Sequence, residues 1–245
     1  MLDNIFDNNV CALLIGKRYS TGYPGKNVMT INGQPSCEYG FQAAKKVGIK
    51  NIFVSTDCPE IIKIGKKYLA KTIERPAELA TPDSLTEDVL VHAYNKIKES
   101  IDPPEIIVLL FANNPAISLK LIKEGVKKLK TDNTYDSAFS VCKYNMFSPT
   151  RARKIKDDTI MPFVPLELMK NVSSIRSSQG DVFFCDLSVQ IIRRRAFENM
   201  SSGMQPFQWM GKKSFPLLNS YGFDIDEEWQ KIAIESWLKK YWKYE

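Results

Sequence analysis

Two places in this 245-residue chain gather residue types able to handle a polyphosphate. The first is Lys17-Arg18-Tyr19-Ser20-Thr21-Gly22-Tyr23-Pro24-Gly25-Lys26-Asn27, which carries two glycines, three cations and several hydroxyls directly after the apolar run CALLIG. Glycines let backbone N–H groups approach phosphate oxygens, and cations offset the charge that grows on a leaving pyrophosphate. The spacing is neither that of a Walker loop nor G-x-G-x-x-G, and an ordinary basic surface turn has the same composition. The second place is Phe223-Asp224-Ile225-Asp226. Alternate residues of an extended segment face one side, so Asp224 and Asp226 would offer two hard oxygen ligands for magnesium. An acidic helix start, continued by Glu227 and Glu228 and favoured by the helix dipole, accounts for the same residues.

Other polar residues carry less. Arg176 offers a bidentate partner for a carboxylate or phosphate, as any exposed loop arginine can, and Arg151 and Arg153 are weaker candidates of the same kind. His92 is the single histidine and sits in the helical pattern of residues 88–93. It reads as packed or capped, and no serine or cysteine triad can be built around another base. Arg193-Arg194-Arg195 reads as a solvated corner. The five cysteines at 11, 37, 58, 142 and 185 form no C-x-x-C pair and no zinc set, which suits reduced thiols in a cytoplasmic protein. The net charge of +6 favours anionic ligands, yet the cations are scattered and make no case for nucleic acid. The longest apolar stretch, residues 106–112, is too short to cross a bilayer, so neither export nor membrane insertion is expected.

The elements that must position these residues follow from periodicity. Short apolar runs alternate with helical patterns: strands at 10–15, 51–55, 106–111 and 136–142, and helices at 34–47, 60–69, 85–100 and 119–129. That rhythm predicts one α/β domain over residues 1–245, a parallel sheet covered by helices on both faces. Prolines at 149, 162 and 165 interrupt it, so residues 143–180 read as an excursion. Regular structure is expected to return with a strand at 182–185, a helix at 189–200, a strand at 215–218 and a terminal helix from Glu227. That last helix carries an apolar stripe at 229, 232, 233, 237, 241 and 244, which would pack on the core.

Several motifs, in order, resemble the acylneuraminate cytidylyltransferases. The loop is similar to that family's A-R-G-G-S-K-G-x-P-G-K-N, with Ser20, Gly22, Pro24, Gly25, Lys26 and Asn27 in place, Lys17 for the family arginine and Thr21 for its lysine, and Arg18 one position along from Lys17. Val54-Ser55-Thr56-Asp57 with Glu60-Ile61 resembles V-S-T-D-x-x-E-I; Ser/Thr/Asp there also reads as a helix N-cap. Arg75-Pro76 to Leu79-Ala80-Thr81 resembles R-P-x-x-L-A, and the family's L-L-Q-P-T-S-P becomes Leu109-Leu110-Phe111-Ala112-Asn113-Asn114-Pro115, with Phe111 replacing glutamine. Arg176, Gln179 and Asp181 match its R-x-x-Q-D-type segment, and Asp224-Ile225-Asp226 matches its D-I-D.

The resemblance implies a three-layer, Rossmann-like nucleotide-diphospho-sugar transferase fold with a mostly parallel mixed sheet. It implies a magnesium-dependent enzyme that transfers CMP from CTP to an acidic, nonulosonate-like sugar and releases pyrophosphate, within lipopolysaccharide, capsule or other glycan synthesis. By the same resemblance Lys26, Lys17, Arg18 and Asp226 are catalytic. Ser20, Gly22, Gly25, Asn27, Arg75, Ala80 and Thr81 bind the nucleotide, Asn113, Asn114, Arg176 and Gln179 meet the sugar, and Asp224 with Asp226 holds Mg2+. The excursion would serve sugar binding and a homodimer. Rival readings are the same reaction on a deoxy-octulosonate or phosphonate, a D-x-D glycosyltransferase, and a catalytically silent nucleotide-binding module.

Overall fold

The computed structural model describes residues 5–20, 22–222 and 224–242. Thr21, Phe223 and Tyr244 lie outside the described residues. In chain order the elements are β1 (Val10–Ile15), β2 (Thr30–Ile31), β3 (Gln34–Pro35), α1 (Ser36–Val47), β4 (Asn51–Thr56), α2 (Pro59–Lys67), β5 (Lys71–Glu74), α3 (Thr86–Ser100), β6 (Ile106–Phe111) and α4 (Leu119–Thr131). They continue with β7 (Ser137–Lys143), β8 (Arg153–Lys156), β9 (Thr159–Pro162), β10 (Phe183–Arg193), α5 (Arg194–Glu198), β11 (Ser214–Asn219) and α6 (Glu228–Tyr241).

Seven strands form one sheet in the order β11-β7-β10-β6-β1-β4-β5. All neighbours are parallel except β10, which runs antiparallel to both β6 and β7. The mostly parallel mixed sheet expected from the sequence is therefore present, with helices on both faces. Residues of opposite parity on one strand feed opposite layers. Ala12, Leu14, Val108 and Leu110 meet Phe41, Ile61 and Val126 of α1, α2 and α4 on one side. Leu13, Phe53, Ile107 and Leu109 meet Leu90, Tyr94 and Ile97 of α3 on the other. No helix among the described residues is long and apolar enough to cross a membrane.

Three expectations need correction. The helix expected over 189–200 is strand in its first part: β10 extends to Arg193, and only then does α5, five residues long, begin. Inside the sheet Val189 and Ile191 pack on one layer and Ile192 on the other, and apolar residues on both faces erase the alternation that marks a strand. The arginine corner is only partly solvated: Arg194 and Arg195 have side chains 40% and 43% exposed, but Arg193 is buried. Arg193 is 4% exposed, and its guanidinium donates to the carbonyls of Leu129 and Tyr135 and to Glu105. Arg195 bonds Asp136 at 2.6 Å. Finally, α6 turns Ile234, Trp237 and Leu238 inward and leaves Trp229 and Ile232 exposed, so the core stripe is offset from the expected one.

The 143–180 excursion begins within the last residue of β7 and contains the β8–β9 hairpin, which pairs only with itself. It exposes Ile155, Ile160, Phe163, Leu166 and Leu168.

Arg193→Ala would strand the buried Leu129 carbonyl, at a cost of roughly 1–3 kcal/mol, whereas the Tyr135 carbonyl keeps its bond from Arg195. Urea unfolding should show a loss of about 2 kcal/mol by that accounting. Arg194→Ala, on a surface ion pair with Glu105, should lose under about 1 kcal/mol.

Candidate active site

The apolar anchor of the site is Ile225, fully buried against Ile31, Tyr39, Ala116 and Ile234. Its amide donates to the Asn113 carbonyl at 2.9 Å, and the Asn113 side-chain amide returns a bond to the Ile225 carbonyl at 3.4 Å. With the residue between them pinned to the end of β6, Asp224 and Asp226 are presented at the carboxyl ends of the parallel strands. Asp226 caps this segment: its amide donates to Gln230 Oε1 at 2.6 Å, and a capping box between Glu227 and Gln230 starts α6. The acidic helix start and the carboxylate pair thus coexist, Glu227 serving the helix and the two aspartates preceding it.

The loop after β1 folds toward these acids. Lys26 Nζ pairs with Asp226 Oδ1, the lysine side chain 15% and the aspartate 51% exposed. A Cβ on Gly22 would come within 3.8 Å of the Asp226 carbonyl. Asn27 is buried and acts within the loop, its amide donating to the Lys17 carbonyl at 2.7 Å. Gly25 holds a left-handed φ of 74°, where an L side chain would be strained, and its carbonyl accepts from Val28 and Met29. The turn therefore closes on itself and aims Lys26 at Asp226.

A cleft of about 220 Å³ lies between these parts, lined by Lys17, Lys26, Arg75, Phe111, Asn113 and Asp224 among others. Lys17 crosses it, donating to the Thr81 carbonyl at 3.0 Å. Arg75 is 7% exposed and donates to the Ser55 carbonyl at 2.8 Å, while its Nε has no partner among the described residues. Burial lowers this guanidinium to about 10, with nearby Asp57 opposing the shift, so it stays a cation at neutral pH. Burial likewise raises the Asp224 carboxyl above the usual range, and the charge of Asp226 adds to this; Lys26 and the Asn113 amide, 3.2 Å from Asp224 Oδ2, pull it back.

Not every expected residue faces this cleft. Arg18 is exposed, with its guanidinium 5.0 Å from the Tyr19 ring centroid and its amide donating to Asp57 at 2.8 Å. Asp57 therefore ties the loop to β4 and does not cap α2, whose N-cap is Cys58 without a side-chain bond. Ser20 is partly buried. Ala80 follows a short 3-10 turn over Ala77–Leu79, and Thr81 bonds Ser84. Asn114 is buried and turned away, its amide donating to the Asp186 carbonyl at 3.0 Å. Arg176 lines a separate hollow with Lys143, Asn145 and Asp181, and Gln179 accepts from Arg151 at 2.8 Å. His92 is partly buried on α3, away from the cleft lining. Sequence reading missed Ser84, Thr86 and Val89 in the lining; the Ser84-Leu85-Thr86 helix start was the available signal.

The cleft uses loops that follow β1 and β6, neighbouring strands from which the chain proceeds in opposite directions across the sheet. These features define a class, the open α/β folds that hold ligands at a topological switch point. The chain belongs to the cytidylyltransferase family, whose model matches residues 12–159, more than half of its length. It is 28% identical over 155 residues to N-acylneuraminate cytidylyltransferase A of Danio rerio, covering 63% of this chain and 35% of that protein. It is 25% identical over 219 residues to N-acylneuraminate cytidylyltransferase of Oncorhynchus mykiss, covering 89% of this chain and 48% of that one. The chain thus spans less than half the length of these two relatives. Among solved structures, the CTP complex of CMP:2-keto-3-deoxy-manno-octonic acid synthetase shares the fold, with a TM-score of 0.65, 14% identity and coverage of 94% of this chain and 98% of that one.

The raised Asp224 carboxyl carries a sign. A folded-state value above the unfolded one, about 3.9, means that its contribution to stability is intact below that pH and is lost as pH rises through the folded value. Asp224→Asn removes the loss. In EDTA the variant should melt above the parent at pH 7, and the difference should vanish below about pH 4; a calorimetric pH series checks it.

Proposed function

We propose that the chain transfers CMP from CTP to an acidic sugar and releases pyrophosphate. The observation that carries this reading is the meeting of Lys26 with Asp226 across the chain, beside Asp224, Lys17 and Arg75 in one cleft. Relatives named for N-acylneuraminate and 3-deoxy-manno-octulosonate support the acidic-sugar class. An acceptor hydroxyl attacks the α-phosphorus, the bond to the β-phosphate oxygen breaks in line, and pyrophosphate departs. Little covalent help is needed, so positioning and charge neutralisation supply most of the acceleration. Lys26 and Lys17 answer charge on the leaving group; Arg18 stands further out as a supporting cation. The turn of Ser20, Gly22, Gly25 and Asn27 offers backbone donors, and Arg75, Ala80 and Thr81 border the base.

The residues fit magnesium. The Asp226 carboxylate lies close enough to Asp224 to disfavour the charge of Asp224, and among the described residues no larger acid or thiol cluster competes. One or two carboxylates completed by phosphate oxygens are the usual magnesium donor set. Asp224 and Asp226 would hold Mg2+, which would supply positive charge to the phosphate oxygens.

Asn113 and Asn114 close the β6 end, and Arg176 with Gln179 would meet the sugar carboxylate from the excursion. The apolar residues exposed on β8, β9 and the following loop favour a homodimer through that excursion, in a cytoplasmic enzyme of surface-glycan synthesis. Phe111 in the cleft lining favours a second reading within the same chemistry, an acceptor other than an acylneuraminate, such as a deoxy-octulosonate or a phosphonate.

A pyrophosphate-release screen of four nucleotides against a panel of sugar acids tests the reading. CTP with one acid should turn over, and Lys26→Ala or Asp226→Ala should lower kcat by roughly 10²–10³-fold. Turnover with GTP or UTP alone, or none with any pair, would overturn it.

A further inference from the structure

Asp186 is a buried carboxylate that the reaction above does not use. It is 4% exposed, lies on β10, and has no ion-pair partner among the described residues. Instead it collects hydrogen bonds. Ser140 Oγ donates to Oδ1, as does the Ser188 amide at 2.9 Å; Cys142 Sγ and Asn219 Nδ2 donate to Oδ2, each at 3.0 Å. Four donors on two oxygens suit an acceptor-only, ionised carboxylate. An uncompensated buried charge is costly, so its place in the fold calls for a reason.

That place is beneath both arms of the carboxylate pair. On one arm, Asn219 ends β11, and Gly222 three residues on lies so close that an added Cβ would meet Asp186 Cγ at 2.9 Å and Ser188 Oγ at 2.6 Å. Tyr144 Oη bonds the Gly222 carbonyl at 3.3 Å, and Asp224 follows two residues later. On the other arm, the Asp186 carbonyl accepts from Asn114, whose neighbour Asn113 holds Asp224 and Ile225. Local backbone agrees. β10 shifts register between Cys185 and Gln190, and Leu187 takes a left-handed φ of 57°, a departure at a non-glycine residue that turns the Asp186 region out of the regular ladder.

We propose that Asp186 is a positioning residue that sets the distance and orientation of Asp224 and Asp226 by fixing the segments entering them from β11 and β6. This rests on the reading of that pair as the magnesium site. Its side chain makes no bond to either acid: it acts through the bond from Asn219 and the close approach of Gly222, while its backbone carbonyl holds Asn114.

The test uses Mn2+ as the probe, its binding followed by electron paramagnetic resonance with CTP present and no acceptor. Asp186→Asn keeps the shape but puts an NH2 against a set of donors. It should weaken Mn2+ binding and lower kcat by about 10–100-fold, the scale of outer-shell losses at metal sites, with the KM for CTP within about twofold. The exchanged pair Asp186→Asn with Asn219→Asp restores donor to acceptor and should recover most of both. Asn219→Ala removes the same tie should Asp186→Asn fail to fold. Arg193→Ala, which loosens the far end of β10, should leave Mn2+ binding unchanged, separating positioning from general destabilisation. Mn2+ affinity within twofold of the parent in folded Asp186→Asn or Asn219→Ala would overturn the proposal. Asp224→Asn separates the two levels. If it binds Mn2+ normally the magnesium reading itself fails; if it loses Mn2+ while both network variants keep it, only the role of Asp186 fails.

Discussion

The site depends on burying one isoleucine between two acids. Ile225 is driven into the cluster of Ile31, Tyr39 and Ile234 by the same apolar transfer that docks α6, worth roughly 1.5–3 kcal/mol for a side chain of that size. Because neighbouring residues of an extended segment point to opposite sides, seating Ile225 leaves Asp224 and Asp226 facing away from the apolar cluster. The backbone bonds with Asn113 then fix how far the segment stands from the end of β6. A one-residue slip would put an aspartate into the cluster, at the cost of burying an unpaired charge, so register is strongly specified.

Charge is arranged on this scaffold in deliberate imbalance. Burial, with the charge of Asp226 beside it, raises the Asp224 carboxyl, and the Lys26 ammonium, paired with Asp226, offsets this only in part. Across the cleft Arg75 is buried deeply enough for its guanidinium to fall to about 10. Such perturbed groups gathered in a concave place mark a functional site more often than a structural one, and strain of this kind persists only when the surrounding fold over-determines it. Three layers of core and the Asp186 network provide that over-determination.

Much of the frame was legible beforehand. β1, β4 and β6 are short apolar runs ended by turn residues, and α3 and α4 show helical periodicity, so local pattern and tertiary outcome agree. The loop and the D-I-D segment were legible as chemistry because glycines, lysines and paired aspartates are informative by type. What failed was information held by distant partners. Nothing near Arg193 announces that carbonyls of Leu129 and Tyr135 will surround it. β10 loses its alternation because both faces are covered. Asn114 looked equivalent to Asn113, yet one residue of strand-end geometry turns it toward Asp186 and leaves its neighbour on the cleft. Asp186 carried no local signal, since its four donors come from β7, β10 and the end of β11.

The order of strands explains why residues at opposite ends of the chain can cooperate. β1 lies inside the sheet, so the loop that follows it opens above the centre and not at an edge. β11 is at the far edge, three strands from β6, and the chain leaving it must travel back across the carboxyl end of β7 and the amino end of the antiparallel β10 to reach Asn113. That crossing passes over Asp186, where Gly222 permits the close approach that any side chain would block. The return path is therefore dictated by one glycine and one buried carboxylate, and its endpoint brings Asp226 to Lys26 across 200 residues of sequence. A fold that had to hold two like charges beside a flexible ligand could rely on a loop; here the acids are delivered by a taut segment between a strand and a capped helix. Rigid delivery suits catalysis by electrostatic preorganisation, because groups already in place need no reorganisation when charge develops.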